Sequence, residues 1–342
     1  MPVQYRHADA PGGDAPLPVD WGQATNMAVV VLVDSTLACD PPWVRYVQNI
    51  VREATSRNDS ARVFPVVTEA GGLDVCQGIQ ALRWDDWAGS GSEREGRLIR
   101  DLTHEFVRML RHRPEAGHPD ATGKAADNTE GVRVFLSHST KDPHGKRIAE
   151  DIRDWLHRHS VMSSFLAPRD IPAGMSFGTV ISGSIQDSAV VVIHTDSYSS
   201  REWCRREVIE AKRANVPMLV VDCLELVDER SFPYLGNVPV VRMDPAARDT
   251  IPVVVGRLLD EVFQHILWRR GVECLCESPR ATFMAKPPEL LSIAALPDAR
   301  GEERLVVYPD PPLGTEELDL FSDVGHNLRL LSLNQWQVEV ET

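Results

Sequence analysis

The pattern of hydrophobic and polar positions predicts strands and helices that alternate along most of the chain. Near the middle, an apolar run at residues 132–136 stops at a polar loop, which is typical of a buried strand. The most apolar run, at 189–195, is typical of a central parallel strand covered on both faces. This alternation predicts a parallel sheet with helices on both sides. The other elements predicted here are strands at 163–167, 218–222 and 238–243 and helices at 143–156, 177–185 and 251–266.

The N-terminal part of the chain shows the same kind of pattern in a separate unit. Residues 1–25 are polar and rich in Pro, Gly and Asp, so we expect a flexible leader there. Residues 26–111 form the unit, and residues 112–130 lack periodicity and predict a linker. The elements predicted within the unit are strands at 28–33, 62–67 and 79–84 and helices at 43–54 and 93–110.

The C-terminal segment, residues 271–342, predicts a smaller arrangement. Its three prolines between residues 279 and 288 indicate a connector over 277–290. A strand at 304–308, a short helix at 315–321 and a strand at 328–333 are predicted after it.

Three motifs in the central segment, residues 131–270, place polar residues at strand ends and helix starts. The first is V-F-L-S-H-S at 134–139, followed by Asp142 in a position to cap the next helix. The second is the loop F-L-A-P-R-D-I-P-A-G at 165–174. The third is S-S-R-E-W-C-R-R-E at 199–207, in which Ser199 and Glu202 fit a capping box. Strand ends and helix N-termini converge at one edge of an open α/β sheet, so we expect a ligand site there.

In this order and at this spacing, the three motifs resemble the Toll/interleukin-1 receptor (TIR) domain, of the bacterial kind. The resemblance covers residues 131–270 and implies a flavodoxin-like α/β fold with a parallel sheet. It also implies one of two functions, because TIR domains either recruit other TIR domains as scaffolds or cleave NAD⁺ at the nicotinamide glycosidic bond. Members that cleave NAD⁺ use a glutamate on the helix after the third strand, and its motif position here is Glu207.

A carboxylate at Glu207 suits this reaction, since departure of nicotinamide leaves positive charge on the ribose ring, as in glycoside hydrolysis. Nicotinamide leaves as a neutral molecule, so no general acid is required. Attack by water would give ADP-ribose, and attack by the adenine end of the same molecule would give a cyclic product. The alternative is a solvated helix glutamate paired with nearby Arg205, Arg206 or Lys212. Trp203, one turn earlier, favours the catalytic interpretation.

The resemblance also assigns substrate contacts at the end of the first strand. Ser137, His138 and Ser139 lie where family members contact the nucleotide. Enzymes of this family can carry arginines in this loop, whereas Ser139 and Thr140 occupy those places here, which weakens the case for phosphate recognition. The alternative for His138 is a loop histidine whose hydrogen bonds are structural.

Three further residues are candidates for substrate binding. Arg169 and Asp170 lie in the loop that, in the family, moves for substrate access and packs against a neighbouring protomer. Their alternative role is a solvated ion pair worth less than about 1 kcal/mol. Trp203 could stack on nicotinamide or, alternatively, pack into the core.

The N-terminal unit resembles the second half of the TIR segment. A-V-V-V-L-V-D-S at 28–35 aligns with A-V-V-V-I-H-T-D-S at 189–197, and Trp43 aligns with Trp203, so that Val47 takes the place of Glu207. The alternative is that two unrelated βαβ segments align by chance. The C-terminal segment offers the strand, helix and strand that a TIR domain contributes before its second loop. We therefore hypothesise that the two ends of the chain share one sheet in a circularly rearranged, degenerate TIR-like unit.

Charge and motif content argue against several function classes. The net charge of −14 argues against a general nucleic-acid binder. The sequence contains neither G-x-x-x-x-G-K-[ST] nor G-x-G-x-x-G after a strand, so ATPase and Rossmann dehydrogenase signatures are missing. Cys274 and Cys276 have no second pair at zinc spacing, so we expect no metal site. Cys204 has no histidine partner in the sequence, so we interpret it as a packing residue.

The sequence shows no signal peptide and no apolar run of membrane-spanning length, so we expect a cytoplasmic protein with reduced thiols and no membrane contact. NAD⁺ is expected as substrate, with no cofactor. The resemblance implies self-association through TIR domains, a role as effector or signal producer in antiphage defence, and activation by a defence partner or a nucleotide signal. The alternatives are a non-catalytic TIR adaptor and an enzyme acting on another nucleotide or nucleoside.

Overall fold

The structure is a computed structural model that describes residues 2–13, 15–57, 60–70, 72–76, 78–111, 132–159, 164–166, 188–273, 275, 281–296, 303–324 and 327–341. The chain divides into two compact units, Met1–Thr129 and Glu130–Thr342. The division falls within the predicted linker, and the linker itself lies outside the described residues.

The N-terminal unit is built on a parallel sheet with the strand order β1-β2-β3. Its elements are β1 Met27–Val33, α1 Ser35–Ala38, α2 Pro41–Ser56, β2 Ala61–Val67, β3 Leu82–Arg83 and α3 Gly91–Arg111. Asp40 caps α2, because its carboxylate accepts a hydrogen bond from the Trp43 amide. The buried face of α2, with Val47, Ile50 and Ala54, packs into the core of this unit.

The prediction of a flexible leader is wrong for residues 15–25. Trp21 is buried in the apolar core of the N-terminal unit. Its indole donates a hydrogen bond to the Glu53 carboxylate on α2, and the Tyr46 hydroxyl donates to the Leu17 carbonyl at 2.9 Å. Two aromatic side chains therefore hold this polar segment against α2, which composition does not reveal.

The central segment contains a five-stranded parallel sheet with the order β5-β4-β6-β7-β8. Its elements are β4 Arg133–Ser137, α4 Pro143–His159, β5 Ser164–Leu166, β6 Ser188–His194, α5 Glu202–Arg213, β7 Met218–Asp222, β8 Val240–Arg242 and α6 Ile251–Glu273. Counted from β4, the strand order is 2-1-3-4-5, the flavodoxin-like doubly wound order. The predicted fold class is confirmed. The helix predicted at 177–185 lies outside the described residues.

Strands β4 and β6 flank the topological switch point of this sheet. β5 lies on the far side of β4, and β7 and β8 lie on the far side of β6. The connections after β4 and β6 therefore leave in opposite directions at the carboxyl ends of these strands, which is the place where α/β proteins bind ligands. Ser137 is the last residue of β4, and Tyr198 lies in the turns after β6.

The predicted capping box before α5 is wrong. The helix begins at Glu202 with Arg201 as N-cap, and no side chain makes a cap hydrogen bond. Ser199 instead donates its hydroxyl proton to Asp228 at 2.7 Å. A tertiary hydrogen bond, in which the Ser199 hydroxyl donates, thus replaces the local one that it would accept from a helix amide.

The C-terminal segment forms its own parallel sheet with the order β11-β10-β9. Its elements are β9 Ala281–Phe283, α7 Leu290–Ala294, β10 Arg304–Tyr308, α8 Thr315–Val324, β11 Leu328–Ser332 and α9 Leu333–Glu341. Met284, Val306, Tyr308 and Leu330 form its buried core. The predicted connector over 277–290 therefore contains a strand, and α9 is absent from the sequence prediction.

The hypothesis that the two ends of the chain share one sheet is wrong. Among the described residues, β1 pairs with β2 alone. β10 lies between β9 and β11 and pairs in parallel with both. The unpredicted strand β9 occupies the edge of β10 that β11 leaves open, so the two ends form separate sheets.

The N-terminal sheet nevertheless has the strand register of β6-β7-β8. In the N-terminal sheet, Val33 lies opposite Val67, and Val67 lies opposite Arg83. In the central sheet, His194 lies opposite Asp222, and Asp222 lies opposite Arg242. The alignment of residues 28–35 with 189–197 equates Val33 with His194. Val47 and Glu207, which the alignment also equates, are 2% and 1% exposed. These registers support an internal repeat whose first copy carries an apolar residue in place of the glutamate.

Candidate functional site

Glu207 lies on the buried face of α5 and is 1% exposed. Cys204, Val208 and Ala211 are buried on the same helix, at the spacing of a face that packs on the sheet. Its Oε2 accepts a hydrogen bond from Ser137 Oγ at 2.5 Å. This bond joins the helix after β6 to the end of β4, so it spans the switch point. Glu207 is therefore not a solvated surface residue.

Two buried hydroxyl groups are aligned towards the Glu207 carboxylate. The Tyr198 hydroxyl lies 2.6 Å from Ser137 Oγ, and Tyr198 is fully buried. Because Ser137 gives its only proton to Glu207, the Tyr198 hydroxyl is the donor to Ser137. Burial raises the pKa of Tyr198 well above its ordinary value, so this hydroxyl keeps its proton.

Burial also raises the pKa of Glu207 from its ordinary 4.5 to about 7. The hydrogen bond from Ser137 and, to a smaller degree, the Trp203 side chain lower this pKa and so offset part of the effect of burial. The second carboxylate oxygen, Oε1, is buried and has no hydrogen-bond partner among the described residues. A buried acceptor without a donor is costly to the fold and is suited to a ligand that brings a hydroxyl group.

Trp203 lies on the surface, one turn before Glu207 on α5. Its side chain is 47% exposed, so the core-packing interpretation does not describe it. The Arg206 guanidinium lies over its ring, 5.5 Å from the ring centroid. An exposed aromatic side chain therefore lies one helical turn from a buried carboxylate, an arrangement that can receive a flat heteroaromatic ring next to a sugar.

His138 and Ser139 follow Ser137 in the chain and shape the loop after β4. Ser139 is fully buried, and its hydroxyl accepts a hydrogen bond from Ser197 at 3.2 Å. His138 is partly buried, with Nδ1 3.3 Å from the Leu136 carbonyl oxygen. The His138 carbonyl also accepts a weak hydrogen bond from the Cys204 thiol at 3.6 Å. Of the three predicted contact residues in this loop, Ser137 is the one that forms a hydrogen bond with Glu207.

Arg169 and Asp170 lie outside the described residues, so their predicted role in substrate binding stays a prediction. Cys204 is buried, and burial raises the pKa of its thiol to about 12. The thiol is therefore protonated at neutral pH, which suits a packing residue and not a nucleophile.

A polar cluster after β6 is absent from the sequence prediction. His194 Nε2 lies 3.0 Å from Asp228 Oδ2 and 3.2 Å from Ser199 Oγ. The His194 ring meets Tyr198 edge-on, with ring centroids 6.0 Å apart, so the cluster holds the turn that carries Tyr198. Ser199 is fully buried and donates to the carboxylate, so it does not form a nucleophilic triad. Asp228 is 34 residues from His194, and no local spacing signals this contact.

No group of three or more His, Cys, Asp or Glu side chains in the described part of the chain could hold a metal ion. Cys274 and Cys276 lie outside that part. Its helices also include none that is both long and apolar enough to span a membrane.

Comparison with protein families finds a match over residues 134–259 to the family described as TIR domain. The match begins in β4 and ends in α6, so it contains Ser137, Tyr198 and Glu207. Among curated proteins, none matches the chain.

Proposed function

Residues 134–259 form a TIR domain, and from this premise we propose that the protein cleaves NAD⁺ between nicotinamide and ribose. Glu207 carries the proposal: a carboxylate buried at the switch point, with a raised pKa, one oxygen held by Ser137 and the other without a partner. A buried carboxylate whose pKa is strongly raised is typical of a catalytic site. No cation among the described residues forms a salt bridge with Glu207, so an ion-pair network does not account for its burial.

The geometry suits a reaction in which charge develops on a sugar. The bond between ribose C1′ and the nicotinamide nitrogen breaks, and the electron pair leaves with nicotinamide, which becomes neutral. The ribose ring then carries the positive charge, which an ionised Glu207 stabilises while Oε1 accepts a hydrogen bond from a ribose hydroxyl. Water adds at C1′ and loses a proton to give ADP-ribose. Addition of an adenine nitrogen of the same molecule gives a cyclic product.

The burial of Glu207 supports activation by assembly. At 1% exposure, the carboxylate meets a ribose only after neighbouring groups move. We therefore extend the proposal to self-association through the TIR domain as the step that opens and completes the site. A cytoplasmic effector or signal producer in antiphage defence, switched on by a partner protein or a nucleotide signal, is the role that fits such an enzyme.

The test is to measure NAD⁺, nicotinamide, ADP-ribose and cyclic products in cells that express the protein, with and without phage challenge. Cells supply activators that a purified chain lacks. We expect NAD⁺ to fall and nicotinamide to rise in equal amounts, and the accompanying product separates hydrolysis from cyclisation. Constant NAD⁺ under every challenge, with folded protein present, would instead favour the adaptor function.

One observation favours that second function, a TIR adaptor without catalysis. In the N-terminal unit the position equivalent to Glu207 is Val47, equally buried. The N-terminal unit therefore has a similar scaffold without the carboxylate. A domain that acts only through protein contacts needs no such carboxylate. Complexes with other TIR domains that form at normal NAD⁺ levels are the result expected for an adaptor.

Ser137→Ala should shift the pH dependence of NAD⁺ cleavage to higher pH. The ionised Glu207 is the active form, so the rate of the wild type rises as pH passes about 7. Loss of the Ser137 hydrogen bond removes an interaction that favours ionisation. Hydrogen bonds to charged groups are worth about 1.5–3 kcal/mol, so we expect a shift of roughly one pH unit. The measurement is kcat against pH in activated preparations.

Ser197→Ala is the matched control for that experiment. Its hydroxyl lies in the turns after β6 and donates to Ser139, not to Glu207. We expect its pH profile to match the wild type. An equal loss of rate at every pH in Ser137→Ala would mean that Ser137 supports the fold and does not tune the carboxylate.

Trp203→Ala should weaken substrate binding while leaving the fold intact. Stacking of a base on an aromatic side chain is worth about 1–3 kcal/mol, so KM should rise roughly tenfold or more. Trp203→Phe retains a ring and should recover most of this loss. Trp87→Ala is the control. Like Trp203, Trp87 has an arginine over its ring, with the Arg97 guanidinium 4.3 Å from the ring centroid, but it belongs to the N-terminal unit. Unchanged KM in Trp203→Ala would remove Trp203 from the binding site.

A further inference from the structure

A cleft of about 190 Å³ lies in the second unit, at the edge of the sheet opposite to Glu207. One wall is formed by the last turn of α5 and the residues that lead into β7 and β8, and the other by β9 and α7. The amino ends of β7 and β8 lie here, whereas Ser137 lies at the carboxyl end of β4. The cleft is therefore separate from the proposed catalytic site. Its apolar lining includes Val216, Met218, Val238, Phe283 and Leu296.

More cations than carboxylates line this cleft although the chain is acidic, and Arg213 also has Glu210 as a partner at 3.5 Å outside the lining. The charged residues that line it are three cations and one carboxylate: Lys212, Arg213, Lys286 and Glu289. The whole chain has a net charge of −14, so an excess of cations in one cleft is unlike its average surface. A concave site with low-dielectric walls strengthens such a local field and attracts anions.

The ammonium group of Lys212 is nearly buried in the wall of the cleft. Its side chain is 6% exposed, and its Nζ donates to the Gly236 carbonyl at 2.7 Å and to Glu289 Oε2 at 2.8 Å. An ammonium group has three donors, so these two bonds leave one N–H. Lys286 lies on the opposite wall, 3.2 Å from Glu261, and its side chain is 31% exposed. Its ammonium group also has donors beyond that single ion pair.

We propose that this cleft binds a small organic anion, a carboxylate or phosphate monoester carried on a compact apolar ring. The anionic group contacts Lys212 and Lys286, and the ring lies against Met218, Val238 and Phe283. Drug-sized ligands occupy roughly 300–1,000 Å³, so this smaller cleft admits a single ring and excludes a dinucleotide. The ligand is therefore not NAD⁺, and the site does not depend on the proposed reaction.

Phenyl phosphate is the probe, titrated into the full-length protein by isothermal calorimetry, with inorganic phosphate as comparison. We expect phenyl phosphate to bind more tightly, because the ring adds apolar contact. Lys286→Gln should weaken binding about tenfold through loss of a charge-assisted hydrogen bond. Glu289→Gln should strengthen binding, because it removes the negative charge of the lining while the amide still accepts a hydrogen bond. Arg329→Gln, an exposed cation of β11 paired with Glu339, is the control and should bind as the wild type does.

The opposite signs expected for Lys286→Gln and Glu289→Gln separate a binding site from simple damage to the fold. Weaker binding in both variants, or equal weakening in Arg329→Gln, would overturn the proposal. So would equal affinity for inorganic phosphate and phenyl phosphate, or no binding at millimolar concentration. Circular dichroism of each variant establishes that the comparison is between folded proteins.

Discussion

Glu207→Gln should lower the rate of NAD⁺ cleavage by about a thousandfold or more, the largest effect that we expect for a single substitution. Glutamine has the shape of the protonated glutamate, and its amide oxygen can accept the Ser137 hydrogen bond. It carries no negative charge, so the positive ribose of the transition state loses its stabilisation. Removing one electrostatic stabiliser of a transition state typically costs about 10²–10³ in kcat, and a full charge in a buried site acts more strongly than a neutral donor.

The measurement is nicotinamide formation by activated wild type and Glu207→Gln at equal protein concentration. Glu210→Gln is the matched control, since Glu210 lies on the same helix with a more exposed side chain, near Arg213. It removes the same charge without touching the buried site, and we expect wild-type activity. Cleavage by Glu207→Gln within tenfold of the wild type would exclude Glu207 as the catalytic carboxylate.

The same substitution should stabilise the protein at neutral and alkaline pH. The pKa of Glu207 is about 7 in the fold and near its ordinary 4.5 in the unfolded chain. The folded state therefore binds the proton more tightly, so the stability contributed by this group is full below pH 4.5 and is lost as pH rises to about 7. A difference of that size corresponds to about 3 kcal/mol. Glutamine does not titrate and avoids this loss.

Thermal unfolding of the wild type and Glu207→Gln, compared at about pH 4.5 and pH 8, measures the effect. We expect similar midpoints at the lower pH and a higher midpoint for the variant at the higher pH. Glu210→Gln is the surface control, because the Glu210 side chain is 42% exposed and its loss leaves the buried site unchanged. A variant that is less stable at pH 8 would show that the carboxylate is held by favourable interactions. An inactive variant that is also more stable would identify burial of Glu207 as a cost of function.

Local sequence was sufficient for most elements of the fold. Met218–Asp222 and Arg304–Tyr308 are predicted to the residue, because each is an apolar run bounded by turn residues. Asp142 accepts a hydrogen bond from the His144 amide at 2.9 Å, as the predicted cap requires. These strands and this helix cap depend on contacts within a few residues, so they can be predicted without knowledge of the rest of the chain.

Short edge elements were not predictable in this way. β9, Ala281–Phe283, has three residues and no readable periodicity, and it is a strand because β10 offers it a partner. The same strand decides that the C-terminal segment builds a separate sheet and does not complete the N-terminal unit. Pairing at a sheet edge depends on which segment arrives there, and that information is not local.

The candidate site also depends partly on local sequence and partly on contacts between residues distant in sequence. The sequence by itself made Glu207, Trp203 and Ser137 candidates, through motifs that resemble those of TIR domains. It also determined the alternation of strands and helices that brings their loops to one edge of a sheet. The neighbouring arginines equally favoured a solvated glutamate. Only the tertiary structure decided that Glu207 is buried, that it meets Ser137 and Tyr198, and that one oxygen has no partner among the described residues. Burial and pKa depend on residues distant in sequence, because desolvation is a property of the packed fold and not of the helix that carries the charge.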